Sequence, residues 1–314
     1  MANDENPVTK PVKITDVAVG VLQKPDGSVL YAQRPSGKVY EGWWEFPGGK
    51  RERGEPIEQT LVRELREELG ITVTQFAPWV VRDHVYPHAT VQLHFFKVTQ
   101  WLGEPASSEG QALLWQDRSA APPQPLLPAA IAVIDWLVLP NRYVRTSAGT
   151  LGIVGAVNAI GNQIKLGACL VHLFEPLLSN TEVIELYNLL CTQLPQNAAG
   201  RLLVNRLLVN RILVNRNHQH LIDRGATGIH LNSENLMVCQ RKPQVPLVGA
   251  DCETVEQLAH AATLGLDFVV MPVDFFIQAA RISRLPVFAW PQLDSYPFDK
   301  LLSTGAHGIC IHAL

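Results

Sequence analysis

Cysteine is scarce in this chain. Five thiols among 314 residues, Cys169, Cys191, Cys239, Cys252 and Cys310, make an odd set with no CxxC pair. That spacing argues against a disulfide-framed secreted module or a zinc ribbon and predicts free thiols in a reducing compartment. Long apolar runs are missing as well. The greasiest stretch, Leu126 to Leu139, is broken by Pro128 and Asp135 and falls short of the roughly 18–20 residues that a membrane span requires. The first ten residues, MANDENPVTK, lack the apolar core of a secretion signal. Charge of one sign is not in excess either: 26 Lys and Arg face 29 Asp and Glu, a net of −3, which speaks against a protein that coats DNA or RNA. The expectation is a cytoplasmic protein with no membrane and no direct nucleic-acid partner. Hydrophobic residues at 47% and charged ones at 18% supply a core and leave no case for disorder.

The length suits about two domains of ~150 residues. Residues 1–140 hold 13 Lys and Arg against 17 Asp and Glu, whereas residues 141–314 hold 13 against 12. A proline-rich stretch, Ala121 to Pro128, leads into an apolar helix from Ala129 to Leu139, with Pro128 fitting the first turn and Pro140 stopping it. The boundary is placed there, giving units of residues 1–139 and 140–314.

In the first unit, alternation from Ile14 to Leu22, a turn at Pro25-Asp26-Gly27 and a strand from Val29 to Arg34 predict a hairpin. A helix follows from Pro56 to Leu69, ended by Gly70, with further strands at Val80–Arg82 and Thr90–Thr99. The fold class expected is an α+β sandwich, a mixed sheet between helices. The second unit repeats short apolar runs at Tyr143–Thr146, Cys169–Leu173, Ile212–Asn215, Gly228–Leu231, Leu247–Gly249, Phe268–Met271, Val287–Trp290 and Gly308–His312. Helix-compatible segments such as Val183–Leu194 and Thr254–Leu264 lie between them. Eight strands alternating with helices predict a small α/β barrel of the (β/α)8 TIM type. Inside it, Arg201–Asn205, Arg206–Asn210 and Arg211–Asn215 form a tandem five-residue repeat. Five matches neither strand nor helix period, so the repeat reads as a slippage duplication, with the last copy filling the third barrel strand.

The chemistry concentrates at one place. Glu64, Glu67 and Glu68 stand at i, i+3 and i+4 and project from one helical face. An acidic helix face is ordinarily just solvated. Here the glycine-rich turn Gly48-Gly49-Lys50 lies upstream, and Arg63 and Arg66 each offset one acidic neighbour at best. Hard carboxylate oxygens on a rigid helix beside free backbone carbonyls are a donor set that Mg²⁺ selects, with Mn²⁺ a possible substitute.

Gly49-x5-Glu55-x7-Arg63-Glu64-Leu65-x-Glu67-Glu68-x-Gly70-Ile71 matches the Nudix box at every defined position. With Arg34, Glu45-Phe46-Pro47-Gly48-Gly49-Lys50 and Glu109-Gly110-Gln111, the stretch from Val17 to about Leu137 resembles the MutT-like Nudix hydrolases, which remove oxidised dGTP from the nucleotide pool and so avert replication errors. The resemblance implies that the Gly48 carbonyl and the carboxylates of Glu64, Glu67, Glu68 and Glu109 hold Mg²⁺. It implies that Arg63 orients the cluster and that Glu55 buttresses the loop. The substrate would be a nucleoside triphosphate such as 8-oxo-dGTP, cleaved to a monophosphate and pyrophosphate by water attack on phosphorus, with Glu109 or a carboxylate of the cluster as base. Arg34, Glu45, Phe46, Pro47, Gly48 and Lys50 would line the substrate site, Arg34 pairing with a phosphate or standing as an exposed strand-end arginine, and Phe46 stacking on the base or packing into the core. Relatives that read 8-oxoguanine carry an Asn where this chain aligns Ala130 and a loop His where it aligns Val39, so two polar contacts to the purine are lost. Other nucleoside diphosphate-linked substrates, or nucleotide sensing without cleavage, are the alternatives. His84, His88 and His94 read as satisfied or solvent-facing rings.

Residues 142–314 resemble thiamine phosphate synthase-like barrels through Leu170–Pro176, Ile212–Asn215, Gly225–Leu231, Val248–Cys252 and Gly305–Ile309. The positions that the resemblance makes catalytic are altered. Phe174 and Pro176 stand for the pyrophosphate-binding Arg and Lys, Arg216 and Asn235 for two Asp metal ligands, and Pro291-Gln292 for a phosphate-cradling glycine pair. The barrel is expected to be non-synthetic, with residual synthase activity as the alternative. It could still bind a small ligand near His172, Asn215, His230 and Cys252, or mediate self-association.

Overall fold

The structure, a computed structural model, describes residues 14–108, 110–167, 169–193, 202–203, 206–207, 211–291 and 297–314. The N-terminal half runs β1 (Ile14–Leu22), β2 (Ser28–Gln33), β3 (Trp44–Glu45), β4 (Gly48–Lys50), α1 (Ile57–Leu69), β5 (Thr72–Tyr86), β6 (Ala89–Leu102), β7 (Leu113–Asp117) and α2 (Pro128–Leu137). Its strands form a mixed sheet, β4-β1-β6-β5, in which β1 runs parallel to β6 and antiparallel to β4, and an antiparallel sheet, β3-β2-β7. Leu61, Leu65 and Leu69 of α1 pack against Ala18, Leu22, Phe96 and Val98 on one face of the mixed sheet. Each such leucine contributes about 1.5–3 kcal/mol by leaving water. Gly70 closes α1 at φ 67°, its N–H donating to Arg66 O, as the left-handed cap requires.

Two expectations are corrected here. The predicted hairpin closes locally, Lys24 N–H donating to Ser28 O, but β1 and β2 then part into different sheets. The inner half of β1, Ala18 to Leu22, is buried and takes partners on both sides, β4 and β6, which leaves β2 to pair elsewhere. The strand expected at Val80–Arg82 is the middle of a 15-residue strand. Polar residues and Pro78 hide its length, because register shifts near Val73, Gln75 and Pro78 interrupt simple alternation.

The C-terminal half is a closed barrel of eight parallel strands: β8 (Arg142–Arg145), β9 (Cys169–Leu173), β12 (Ile212–Asn215), β13 (Gly228–Leu231), β14 (Leu247–Asp251), β15 (Phe268–Pro272), β16 (Val287–Trp290) and β17 (Gly308–His312). Strands β10 (Leu202–Leu203) and β11 (Arg206–Leu207) pair with each other outside it. The last copy of the repeat, Arg211–Asn215, supplies β12, as expected; most of the first two copies lies outside the described residues. The helices are α3 (Ala148–Lys165), α4 (Asn180–Gln193), α5 (Ser233–Met237), α6 (Val255–Leu264), α7 (Val273–Ala279) and α8 (Phe298–Ser303). Among the described residues Cys191, Cys239, Cys252 and Cys310 are free thiols, and no helix is long and apolar enough to cross a membrane.

The halves share one apolar cluster, from Val19, Tyr31 and Trp79 through Val133 and Leu137 of α2 to Val248, Phe268 and Phe288 of the barrel. Val81 N–H donates to Ser283 O at 2.8 Å, and Arg284 pairs with Asp83 at 2.6 Å. Gly305, at φ 111°, lies where a Cβ would come within 2.4 Å of Pro78 O.

Candidate active site

Helix α1 sets the spacing of the acids, and Arg63 ties them together. Its Nε donates to Glu55 Oε1 at 2.9 Å, and its NH2 to Glu55 Oε2 at 3.0 Å and Lys50 O at 3.2 Å. Its NH1 donates to Glu64 Oε1 at 2.8 Å and Glu67 Oε2 at 3.1 Å. The expectation that Arg63 offsets a single neighbour is therefore wrong: a planar guanidinium offers five N–H donors, and here they span three carboxylates and a loop carbonyl. Glu55 also accepts from Glu52 N–H at 3.1 Å and Thr60 Oγ1 at 2.8 Å. The Arg63 bonds are the main reason its carboxyl sits low, at about 2. Glu64 is pushed the other way, upward by burial, with Arg63 opposing.

The glycine turn approaches the same helix face. Gly48 N–H donates to Glu68 Oε2 at 3.0 Å. A Cβ on Gly49 would lie 2.2–2.4 Å from the Glu64 carboxylate, so only glycine leaves that acid its place. Gly48 has φ 147° and packs against Ala18 O. Glu67 is largely exposed, at 60%. Among the described residues no three carboxylates, imidazoles or thiols converge on one point as they stand. The donor chemistry nevertheless fits a hard divalent cation: all-oxygen side chains at i, i+3 and i+4, with a Cβ-free turn facing them. Glu109 lies outside the described residues.

The expected substrate-site residues divide. Arg34 NH1 holds both oxygens of Glu45, at 2.8 and 2.7 Å, and its Nε donates to Val39 O at 2.8 Å. Much of its fork is thus used internally, and burial raises the Glu45 carboxyl despite Arg34. Phe46 takes the core-packing reading. Its ring is 4% exposed and stacked on Tyr31 at 5.1 Å. Pro47 O accepts from Gly20 N–H at 2.8 Å, and Lys50 is exposed beside the turn. Ala130 is buried on α2, and Val39 is exposed in the loop.

Aromatic residues that the motif does not mark gather beside Glu45. Tyr40, at φ 63°, lies 5.1 Å from Trp43 and 5.6 Å from Tyr86, and His88 stacks on Tyr86 at 5.6 Å. Tyr40 and Trp43 come from one segment and Tyr86 and His88 from another distant in sequence, so no local pattern could have joined them. His84 packs edge-on to Tyr86, and His94 bonds Asp16 at 3.0 Å.

In the barrel, His172 Nε2 lies 2.6 Å from Asn215 Oδ1, and its ring is 4.3 Å from that of His230. His230 Nδ1 is 2.9 Å from Tyr143 OH. Burial lowers the pKa of both histidines, with Asp251 opposing it at His230. Cys252 is fully buried. Sequence reasoning missed the buried Arg145–Asp251 ion pair. Burial raises the Asp251 carboxyl, but His230 and Arg145 outweigh it and hold the group well below the usual range. The rings of Trp290 and Phe174 lie 4.5 and 5.5 Å from the Arg145 guanidinium. Glu175 accepts from Ala148 and Gly149 N–H at 2.5 and 3.0 Å, filling the N-terminus of α3 with a carboxylate. Arg216 is exposed after β12, and Asn235 N–H donates to Asn232 Oδ1. Gln292 lies outside the described residues.

A NUDIX domain family model matches residues 18–135. An 8-oxo-dGTP diphosphatase of Haemophilus influenzae is 35% identical over 126 residues, which are 40% of this chain and 93% of that protein. A CTP pyrophosphohydrolase of Escherichia coli is 38% identical over 130 residues, 40% of this chain and 91% of that one. The crystal structure of a MutT NUDIX hydrolase from Burkholderia pseudomallei aligns at 27% identity with a TM-score of 0.37, over 39% of this chain and 97% of that one. With 93% and 91% of the Haemophilus and Escherichia relatives covered at 35% and 38% identity, the chain belongs to the Nudix family, and residues 18–135 make it a Nudix pyrophosphohydrolase.

Proposed function

We propose that the chain hydrolyses a nucleoside triphosphate to the monophosphate and pyrophosphate, with 8-oxo-dGTP as the substrate and nucleotide-pool sanitation as the role. The observation that carries this is the Arg63 hub joining Glu55, Glu64 and Glu67, with Glu68 bonded to the Gly48 turn. Gly48 through its carbonyl, Glu64, Glu67, Glu68 and Glu109 would hold Mg²⁺ or Mn²⁺. Bound there, the ion would neutralise the polyphosphate and the charge growing on the leaving oxygen. Arg63 keeps Glu64 and Glu67 on one side of the turn, and Glu55 fixes Arg63. A carboxylate of this cluster accepts the proton as water attacks phosphorus, the anhydride P–O bond breaks, and pyrophosphate leaves. Arg34 holds Glu45 and the Val39 carbonyl, which sets Tyr40 of the 35–43 loop beside Tyr86, where a base would lie.

A second reading is a pyrimidine triphosphate. The buried methyl of Ala130 and the exposed Val39 offer no side-chain amide or imidazole to a purine edge, and the Escherichia coli relative is named a CTP pyrophosphohydrolase. One assay separates the two. Pyrophosphate release is followed for 8-oxo-dGTP, dGTP, CTP, dCTP and a sugar-linked nucleoside diphosphate, with and without Mg²⁺. The first reading expects 8-oxo-dGTP to have the highest kcat/KM by about tenfold or more. A cytidine preference supports the second, and turnover of the sugar-linked compound alone refutes both.

We further propose that residues 1–139 and 140–314 are separate domains and that the second is a thiamine phosphate synthase-like TIM barrel without synthase activity. In support, aromatic rings and a paired Arg145 occupy the region where a pyrophosphate clamp would be needed. Growth of a thiamine-phosphate auxotroph on this chain alone would refute it.

A further inference from the structure

Between the β5–β6 hairpin and the barrel lies a cavity of about 420 Å³ that neither half forms alone. Lys97, Trp79, Gln75 and Arg118 come from one side, and His307 and Asn141 from the other. Asn141 and His307 directly precede β8 and β17, so the cavity opens at the N-terminal ends of the barrel strands. The Arg145–Asp251 pair lies at their C-terminal ends, and the α1 carboxylates are on the opposite face of the mixed sheet.

Lys97 dominates the cavity. Its Nζ lies 4.8 Å from the centre of the Trp79 ring, 3.5 Å from His307 Nδ1 and 3.5 Å from His307 O. His307 Nε2 is 3.2 Å from Leu139 O, which can only accept, so Nε2 carries the proton and Nδ1 accepts from the lysine. No carboxylate pairs with Lys97 among the described residues; Asp299, the one acid lining the cavity, is exposed at its edge. Burial, and then repulsion from Arg118, bring the Lys97 amine down to about 7. A half-buried ammonium beside a second cation, with only two long neutral acceptors, is better satisfied when an anion joins it. Trp79 Nε1, which is buried, has no hydrogen-bond partner. The space compares with ordinary small-ligand pockets of roughly 300–1,000 Å³.

We infer that this cavity is a binding site for a small phosphate-bearing anion, held by Lys97 and Arg118 with Trp79 and Leu139 against its apolar part. Two cations, one a point charge and one a fork of donors, match a phosphate group better than a single carboxylate. The inference does not depend on the proposed nucleotide substrate.

The test is calorimetric titration of the full chain in metal-free buffer, where the α1 carboxylates repel anions. Orthophosphate probes the bare ion, ribose 5-phosphate an organic phosphate, and citrate the carboxylate alternative. The expectation is saturable 1:1 binding of a phosphate compound with Kd below about 1 mM. It should weaken about tenfold or more in Lys97→Met and in Arg118→Met, with circular dichroism unchanged, and persist in Glu68→Gln. The inference is overturned by binding of citrate alone, by no saturable phosphate binding in the wild-type chain, or by phosphate binding that folded Lys97→Met or Arg118→Met retains in full.

Discussion

Gly48 and Gly49 are neighbours, yet a methyl group at each meets a different obstacle. At Gly49 its nearest contacts would be the Glu64 carboxylate, the far end of a flexible side chain that can swing away. Gly49→Ala is therefore expected to keep its melting temperature within a few degrees while losing about 10²-fold in kcat, because an acid displaced by an ångström no longer serves the reaction. At Gly48 the obstacle is the backbone of Ala18, and φ is 147°. Gly48→Ala should cost about 1–3 kcal/mol of stability in addition to activity, read by urea denaturation. The acids and the glycines were legible as a pattern. The sequence could not show which glycine faces side chain and which faces backbone, because that depends on β4 pairing with β1. Phe46 shows the same limit: its place in the motif left base stacking and core packing equally open, and the fold stacks it on Tyr31.

For helix α1, the Glu55–Arg63 tie fastens the preceding loop to the acidic face. Glu55 sits at about 2, below its ordinary 4.5, because Arg63 favours the ionised form. A depressed carboxylate contributes stability that is complete above its unfolded value and is lost as pH falls through its folded one. The stability gap between wild type and Glu55→Gln should therefore be constant above about pH 5.5 and narrow as pH falls from 4.5 toward 2, measured by denaturant midpoints across that range. A gap that widens toward acid would contradict the assignment. Among elements, α1 and the barrel strands were legible because their apolar residues recur at the helical period or in short runs framed by turns. β5 was not, since its bulges and Pro78 break the alternation that betrays a strand. The hairpin at Gly27 was half legible: local turn chemistry forms the bend, while long-range pairing sends β1 and β2 into different sheets.

On the scale of the whole molecule, the two halves are joined by apolar packing more than by charge. Arg281 reaches Glu58 of α1 at 3.0 Å, but it is 77% exposed, so Arg281→Ala should change stability by under about 1 kcal/mol. Gly305→Ala places a methyl against Pro78 O and should cost about 1–3 kcal/mol, seen as a fall of several degrees in melting temperature. None of this joint was legible in the sequence, because the groups that bridge it are remote along the chain, Lys97 and His307 by 210 positions. The eight-strand barrel was foreseen; its shared core with the sheet was not. The most direct test of the chemistry is pyrophosphate release from 8-oxo-dGTP and CTP by the full chain and its Glu67→Gln and Glu68→Gln variants, each checked for an unchanged circular dichroism spectrum. If the clustered carboxylates drive anhydride cleavage, both variants lose about 10²–10³-fold or more in kcat; turnover within a few-fold of wild type in both would contradict the account.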